Sequence, residues 1–249
     1  MFTRSKNGHS GIPISVHGVA CGNGKGHTGR RDEMKTLIAV PCFDMVHTEF
    51  MQSMIALEKP EDTSFTVVKN TLISVARNTI ARNAIDAGFD RIAWFDSDML
   101  IPRDALLKLT ADMDRGLEMV SGLYFTRQAP IKPVIYSTLY WEQKEDGVDA
   151  GAGNYFDYPD GLIEIAGCGF GCCITSVDLI KRVWEHENEP PFAEMRGFGE
   201  DLSFCERVIR TGGKMFADTR IKCGHVGVQT FNEAMYRAQG KIDWSKQDV

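Results

Sequence analysis

The sequence predicts a single α/β domain built on a mostly parallel central sheet flanked by helices. Short apolar runs of strand length alternate with amphipathic stretches of helix length, the signature of βαβ units. The runs are continuously apolar, as in strands covered on both faces. At 249 residues, 43% hydrophobic and 25% charged, the chain has enough apolar material for a sizeable core.

Residues 36–40 form the first such run, closed by Pro41, where a loop is expected to begin. A helix is expected over 47–57, a short strand over 65–68 and an amphipathic helix over 70–87. In that helix Ile73, Ala76, Ile80 and Ala84 recur at three- and four-residue spacing, and Gly88 is placed to stop it. A buried strand over 91–95, a helix over 102–115 with Leu106, Leu109 and Met113 inward, and a strand over 119–123 complete the first half.

Further on, strands are expected over 134–141 and 162–166. They flank "EQKEDGVDAGAGNYFDYPDG", a polar, Gly-rich stretch long enough for a mobile loop or lid. "GCGFGCCITSVDLIKRVWEH" passes through a strand into a helix starting near Val177, with Ser176 as N-cap. A last helix over 200–210 is stopped by Gly212 and Gly213, and a strand follows near 214–217. Residues 1–33 lack a periodic apolar pattern and are expected to be a flexible leader. The folded domain is expected over 34–235, with a tail over 236–249.

A net charge of -6 gives no global attraction to nucleic acid or an anionic membrane. No run approaches the roughly 20 apolar residues of a membrane span, and the amino terminus lacks a signal-peptide core. A cytoplasmic location is therefore expected. Seven cysteines, an odd number without a regular framework, are expected as reduced thiols. "CGFGCC" lacks the second cysteine pair that a zinc site needs.

Three acidic or basic elements stand at expected loop ends. "FDSDM" ends the 91–95 strand with Asp96 and Asp98 one residue apart, Ser97 between them. In an extended segment both carboxylates face the same way as one acidic claw, which suits a hard cation such as Mg²⁺ or Mn²⁺ gripping a phosphate. Glu200 and Asp201 open a helix, and His225 lies on a loop in "KCGHVG". Each has a plain structural account as well: turn aspartates, acids favoured by the helix macrodipole, and a packed histidine.

In this order, "IAVPCFD", "ARN", "FDSDM", "VSGLYFTR", "GCGFGCCI", "FGEDLSFCERV" and "GHVG" resemble a nucleotide-sugar-dependent glycosyltransferase of the GT-A fold, close to the family 2 type, over residues 35–230. The resemblance implies transfer of a sugar from a UDP- or GDP-sugar to a hydroxyl acceptor with Mn²⁺ or Mg²⁺ as cofactor. It implies that Pro41, Cys42 and Asp44 border the nucleotide base, and that Arg77 and Asn78 line the nucleotide pocket. Asp96 and Ser97 would lie on the donor, with Asp96 reaching the ribose or a metal-bound water. Asp98 would bind the cation and His225 complete its site. Asp201, or alternatively Glu200, would take the proton from the attacking hydroxyl. Arg82 and Asn83 are read as surface residues.

Tyr124, Tyr140, Trp141, Tyr155 and Tyr158 are expected around an acceptor site, where ring faces can stack on a pyranose. No "QxxRW" motif of chain-extruding synthases is present. The alternatives are a sugar-phosphate nucleotidyltransferase, which would need a Gly-rich basic loop after the first strand, and a non-catalytic nucleotide-sugar-binding module. The acceptor class, whether saccharide, lipid-linked precursor, protein or modified base, is open at this level.

Overall fold

The computed structural model describes residues 34–144, 147–195, 197–227 and 230–239. The leader expected over 1–33 and residues 240–249 of the expected tail lie outside the described residues. In chain order the elements are β1 (Thr36–Cys42), α1 (Thr48–Ala56), β2 (Thr63–Lys69), α2 (Ile73–Asp86), β3 (Arg91–Phe95), β4 (Met99–Leu100), α3 (Ala105–Met113), β5 (Met119–Leu123), β6 (Ile135–Lys144), β7 (Gly147–Asn154), β8 (Leu162–Ile165), β9 (Gly167–Cys168), β10 (Cys172–Ser176), α4 (Val177–His186), α5 (Glu200–Arg210), β11 (Met215–Lys222), β12 (Gly224–Val226), β13 (Thr230–Phe231) and α6 (Glu233–Ala238).

Every residue of β1, β3 and β5 is buried, so these strands lie at the centre of a covered sheet. The main sheet has the order β2-β1-β3-β10-β5-β11-β8. Strands β2, β1, β3, β5 and β11 run one way, whereas β10 and β8 run against them, so the sheet is mostly parallel. Side chains alternate between its faces. Leu37, Ala39, Ile92 and Trp94 pack with Ile80 of α2, Ile180 of α4 and Phe204 of α5. Ile38, Val40, Ala93 and Phe95 pack with Phe50 of α1 and Leu106 and Leu109 of α3. The result is a mixed α/β architecture with helices on both faces.

Most expected elements are present, and the departures have physical causes. Pro41 and Cys42 continue β1 instead of opening a loop. The pairing of β1 with β3 ends at Ala39↔Trp94, so the missing N–H of Pro41 is not needed on that side. The second helix starts at Ile73, because Asn70 takes a left-handed φ of 60°. The first part of the stretch expected as a loop is strand where it is described, because β7 pairs with β6 as an antiparallel hairpin, whereas residues 155–161 belong to no helix or strand. A Cβ at Gly151 would lie 2.3 Å from the Tyr140 ring, so glycine there lets the ring lie across its partner strand.

The packed domain also extends beyond 235. Tyr236 of α6 stacks on Phe125 at 4.8 Å, and the Gln239 side chain brackets the backbone of Ile131. The six described cysteines are free and buried, as expected of structural thiols; Cys21 lies outside the described residues.

Candidate functional site

The site is built at the end of β3, where parallel strands of the sheet present their carboxyl ends. The chain does not continue extended through "DSD". Met99 N–H donates to the Asp96 carbonyl (3.2 Å), which closes a turn around Ser97 and Asp98. Outside contacts fix the turn: the Ser97 carbonyl accepts from His47 N–H (3.1 Å), and the Asp98 carbonyl from Val226 N–H (2.7 Å). Asp96 and Asp98 therefore do not form the single acidic claw expected of a strand. Each carboxylate meets basic partners of its own.

Asp98 is paired with Arg127, and its Oδ2 stands 3.4 Å from His225 Nε2. Strand β12 brings the histidine there by pairing with β4, His225 opposite Met99 and Gly224 opposite Leu100. A Cβ at Gly224 would come within 3.1 Å of Leu100, so the approach favours glycine. His225 Nδ1 lies 2.8 Å from the Phe125 carbonyl. A carbonyl only accepts, so Nδ1 carries the proton and Nε2 is directed at Asp98. Burial raises the Asp98 carboxyl, but the His225 and Arg127 contacts outweigh it and hold its pKa below the ordinary value. Burial likewise opposes the charge on His225, and the bond to Asp98 outweighs it, leaving the imidazole pKa raised.

The second cluster is centred on Arg77, which is 2% exposed. Its Nη1 donates to Glu200 Oε1 (2.5 Å) and its Nη2 to Asp96 Oδ1 (3.0 Å), with the guanidinium 5.0 Å from the Phe170 ring centre. Arg77 is therefore an internal brace between α2, β3 and α5, and does not line an open nucleotide pocket as the resemblance implies. Asn78 is similarly engaged, its Oδ1 accepting from Phe192 N–H (3.0 Å). Arg82 lies on the surface as expected, stacked 4.0 Å over Trp184, and Asn83 is exposed.

Glu200 is bound to Arg77, whereas the Asp201 carboxylate accepts only from the adjacent Leu202 N–H (2.7 Å) among the described residues. Burial pushes both carboxyls up, against the pull of Arg77. Being at a helix start does not hold Asp201 down; desolvation wins. Of the two acids, Asp201 is the one whose lone pairs remain available to a proton.

Asp44 is exposed beyond the end of β1, next to Phe43 and Met45, which are 72% and 76% exposed. Pro41 and Cys42 are buried behind them, and the Cys42 thiol donates to the Met45 carbonyl (3.0 Å). The aromatic residues do not form one cluster. Tyr124 is buried, its hydroxyl accepting from Gly171 N–H (3.2 Å). A Cβ at Gly169 would lie 2.0 Å from that hydroxyl, so "GCGFG" supplies room for Tyr124. Trp141 packs on Phe198 at 5.1 Å and Tyr158 on Tyr236 at 6.3 Å. Tyr140 is exposed, and Tyr155 packs against the core.

Sequence reasoning assigned no role to Arg127, because its partner is 29 residues away and nothing in "YFTR" marks it. Among the described residues no group of three His, Cys, Asp or Glu side chains could hold a metal ion by itself. The pair of Asp98 and His225 does fit as part of one: donors each about 2.1 Å from a shared ion stand about 3.0–3.4 Å apart. A histidine whose Nδ1–H is fixed on a carbonyl is also the usual orientation of a ligand imidazole.

No protein-family model matches the chain, and no curated protein matches it. Among solved structures, the chain is similar to one described as the crystal structure of A197 from STIV, with a TM-score of 0.57 and 18% identity over 78% of this chain and 86% of that one. At that identity the likeness bears on the fold alone. No helix among the described residues is long and apolar enough to cross a membrane.

Proposed function

We propose that the chain is a metal-dependent glycosyltransferase of the GT-A type, moving a sugar from a nucleotide-sugar donor to a hydroxyl acceptor. The observation that carries this reading is the placement of Asp98 and His225, 3.4 Å apart at the strand ends with the Nε2 of the histidine turned to the carboxylate. These two side chains would hold Mn²⁺ or Mg²⁺, with diphosphate oxygens of the donor completing the oxygen-rich shell. Such an ion supplies charge stabilisation to a leaving diphosphate.

Asp201 is the base in this reading. It is half-buried, desolvation raises its pKa, and no cation is bonded to it among the described residues, so it can accept the proton of an attacking hydroxyl. Arg77 keeps Glu200 and Asp96 fixed on either side, which supports the position of Asp201 one residue along α5. Exposed Phe43 and Met45 offer an apolar face for the nucleotide base at the end of β1, beside Asp44.

The test is incubation with a panel of UDP- and GDP-sugars and Mn²⁺, with release of nucleoside diphosphate as the readout. Asp98→Asn is expected to abolish metal-dependent release while the fold survives. Asp201→Asn is expected to retain donor binding and lower transfer about 10²–10⁴-fold. Full turnover of Asp98→Asn in chelator rejects the assignment. One observation favours a second reading, a binding module without turnover: Arg127 already neutralises Asp98. Donor binding without nucleoside diphosphate release across the panel would select it.

A further inference from the structure

We propose that the cavity beside Arg127 binds an anionic group, phosphate or carboxylate, carried by the acceptor. Its role as an acceptor subsite rests on the transferase reading above; its binding of an anion does not. The cavity, about 410 Å³, opens at the carboxyl end of β5 and is lined by Tyr124, Arg127, Lys132, Val134 and His225, among others. That is the size of a small-molecule site.

The charge of the lining runs against that of the whole chain. The protein carries a net charge of -6, yet none of the described lining residues is a carboxylate, while Arg127, Lys132 and the His225 ring all border the space. Arg127 uses Nη1 on Asp98, and its other N–H groups have no partner among the described residues. A guanidinium with free edges is the side chain best shaped to grip phosphate or carboxylate. Tyr124, Val134, Ala129 and Pro130 add apolar wall, with the neutral polar Thr126 and Gln128 among them, which suits the carbon body and hydroxyls of a small metabolite better than a second ion.

The walls are braced before any ligand arrives. Thr126 N–H donates to the Lys132 carbonyl (2.9 Å) and Lys132 N–H to Thr126 Oγ1 (3.0 Å), closing the loop on itself. Val134 N–H donates to the Tyr124 carbonyl (2.9 Å) at its base. Gln239 holds Ile131 from behind through both of its backbone groups. A braced cationic loop loses little freedom on binding.

Position favours the acceptor as the source of the anion. The exposed apolar residues at the end of β1 lie on the far side of β3, whereas this cavity lies at β5, with β10 between β3 and β5. Asp98 stands at the border, joined to the cavity through Arg127.

Calorimetric titration in metal-free buffer with EDTA tests this directly, using inorganic phosphate, a hexose 6-phosphate and the uncharged hexose. Phosphate and hexose phosphate are expected to bind, and the uncharged hexose not. Arg127→Gln and Lys132→Gln, both at solvent-accessible positions, are each expected to weaken hexose phosphate about tenfold, the loss of one charge-assisted contact. Equal affinity in wild type and both variants, or no binding of either anion, overturns the site. Repeating the titration with saturating UDP and Mn²⁺ separates the sources. Undiminished hexose phosphate binding supports an acceptor subsite; competition by UDP overturns it and gives the cavity to the donor diphosphate. Since no arm reads turnover, loss of the anion site and loss of the transferase reading are seen independently.

Discussion

His225 and Asp98 set each other's charge, and the consequence is a pH dependence with a defined sign. The imidazole pKa is raised above its ordinary 6.5, because the bond to Asp98 outweighs burial. Its contribution to stability is complete below 6.5 and is lost as pH rises through the raised folded value. The Asp98 pKa is lowered from 3.8, so its contribution is complete above 3.8 and is lost as pH falls through the folded value. Together the pair stabilises most between about pH 4 and 6.5 in metal-free solution. His225→Gln is expected to lose about 1–2 kcal/mol at pH 6 and less at pH 8, read by urea denaturation. An equal loss at both pH values would mean that the ring acts only by packing. Arg127 opposes the charge on the imidazole, so Arg127→Gln should move the His225 titration further up in an NMR pH series.

Helix α2 is tied to the ends of β3 and α5 through one side chain, and that tie is electrostatic. Removing only Arg77 leaves Asp96 and Glu200 facing each other without their common cation, a loss of about 3–5 kcal/mol for a fully buried pair and smaller here because the Asp96 side chain is 31% exposed. Arg77→Met is expected to show that loss in chemical denaturation. Arg77→Lys should recover little, since an ammonium cannot donate in two directions from one plane. Arg77→Met with Glu200→Gln should regain part of the loss; if the double variant is no better than the single, the brace is not the cause. This tie also shows where sequence reading stops. Ile80 and Ala84 mark the inner face of α2 by spacing alone, and β3 is plain as an unbroken apolar run. Of the two partners of Arg77, Asp96 is 19 residues along the chain and Glu200 is 123, and no local pattern points to either. Strand β10 was recognisable as a strand, but "CCITS" is buried on both faces and carries no mark of its reversed direction. Strand β7, "GVDAGAGN", hides because Gly151 makes room for the Tyr140 ring and Gly153 for Thr138 of its neighbour, which leaves it no apolar alternation.

The two halves of the molecule meet where the chain closes on itself. Strands β1, β2 and β3 form one end of the sheet, β5, β11 and β8 the other, and Asp98 meets His225 only because β12 returns to pair with β4. The segment after it, α6, completes the second half. Tyr236 stacks on Phe125 and donates its hydroxyl to the Phe156 carbonyl (2.8 Å), and Glu233 pairs with Lys222 (2.8 Å). Phe125 in turn supplies the carbonyl that orients His225, so α6 stands one contact away from the site. A chain ending at Asn232, compared with one ending at Gln239, removes that cover and both contacts of Gln239 to Ile131. Losing a half-buried tyrosine and its ring pairing removes about 1–3 kcal/mol, which in a domain of this size lowers Tm by roughly 2–10 °C. The shorter chain should also bind hexose phosphate more weakly, because Ile131 sits in the loop that carries Arg127 and Lys132. A drop in Tm with unchanged anion affinity would make α6 a stabilising cover alone. A loss of both, with His225 titrating closer to 6.5, would show that the carboxyl-terminal helix holds the site in shape.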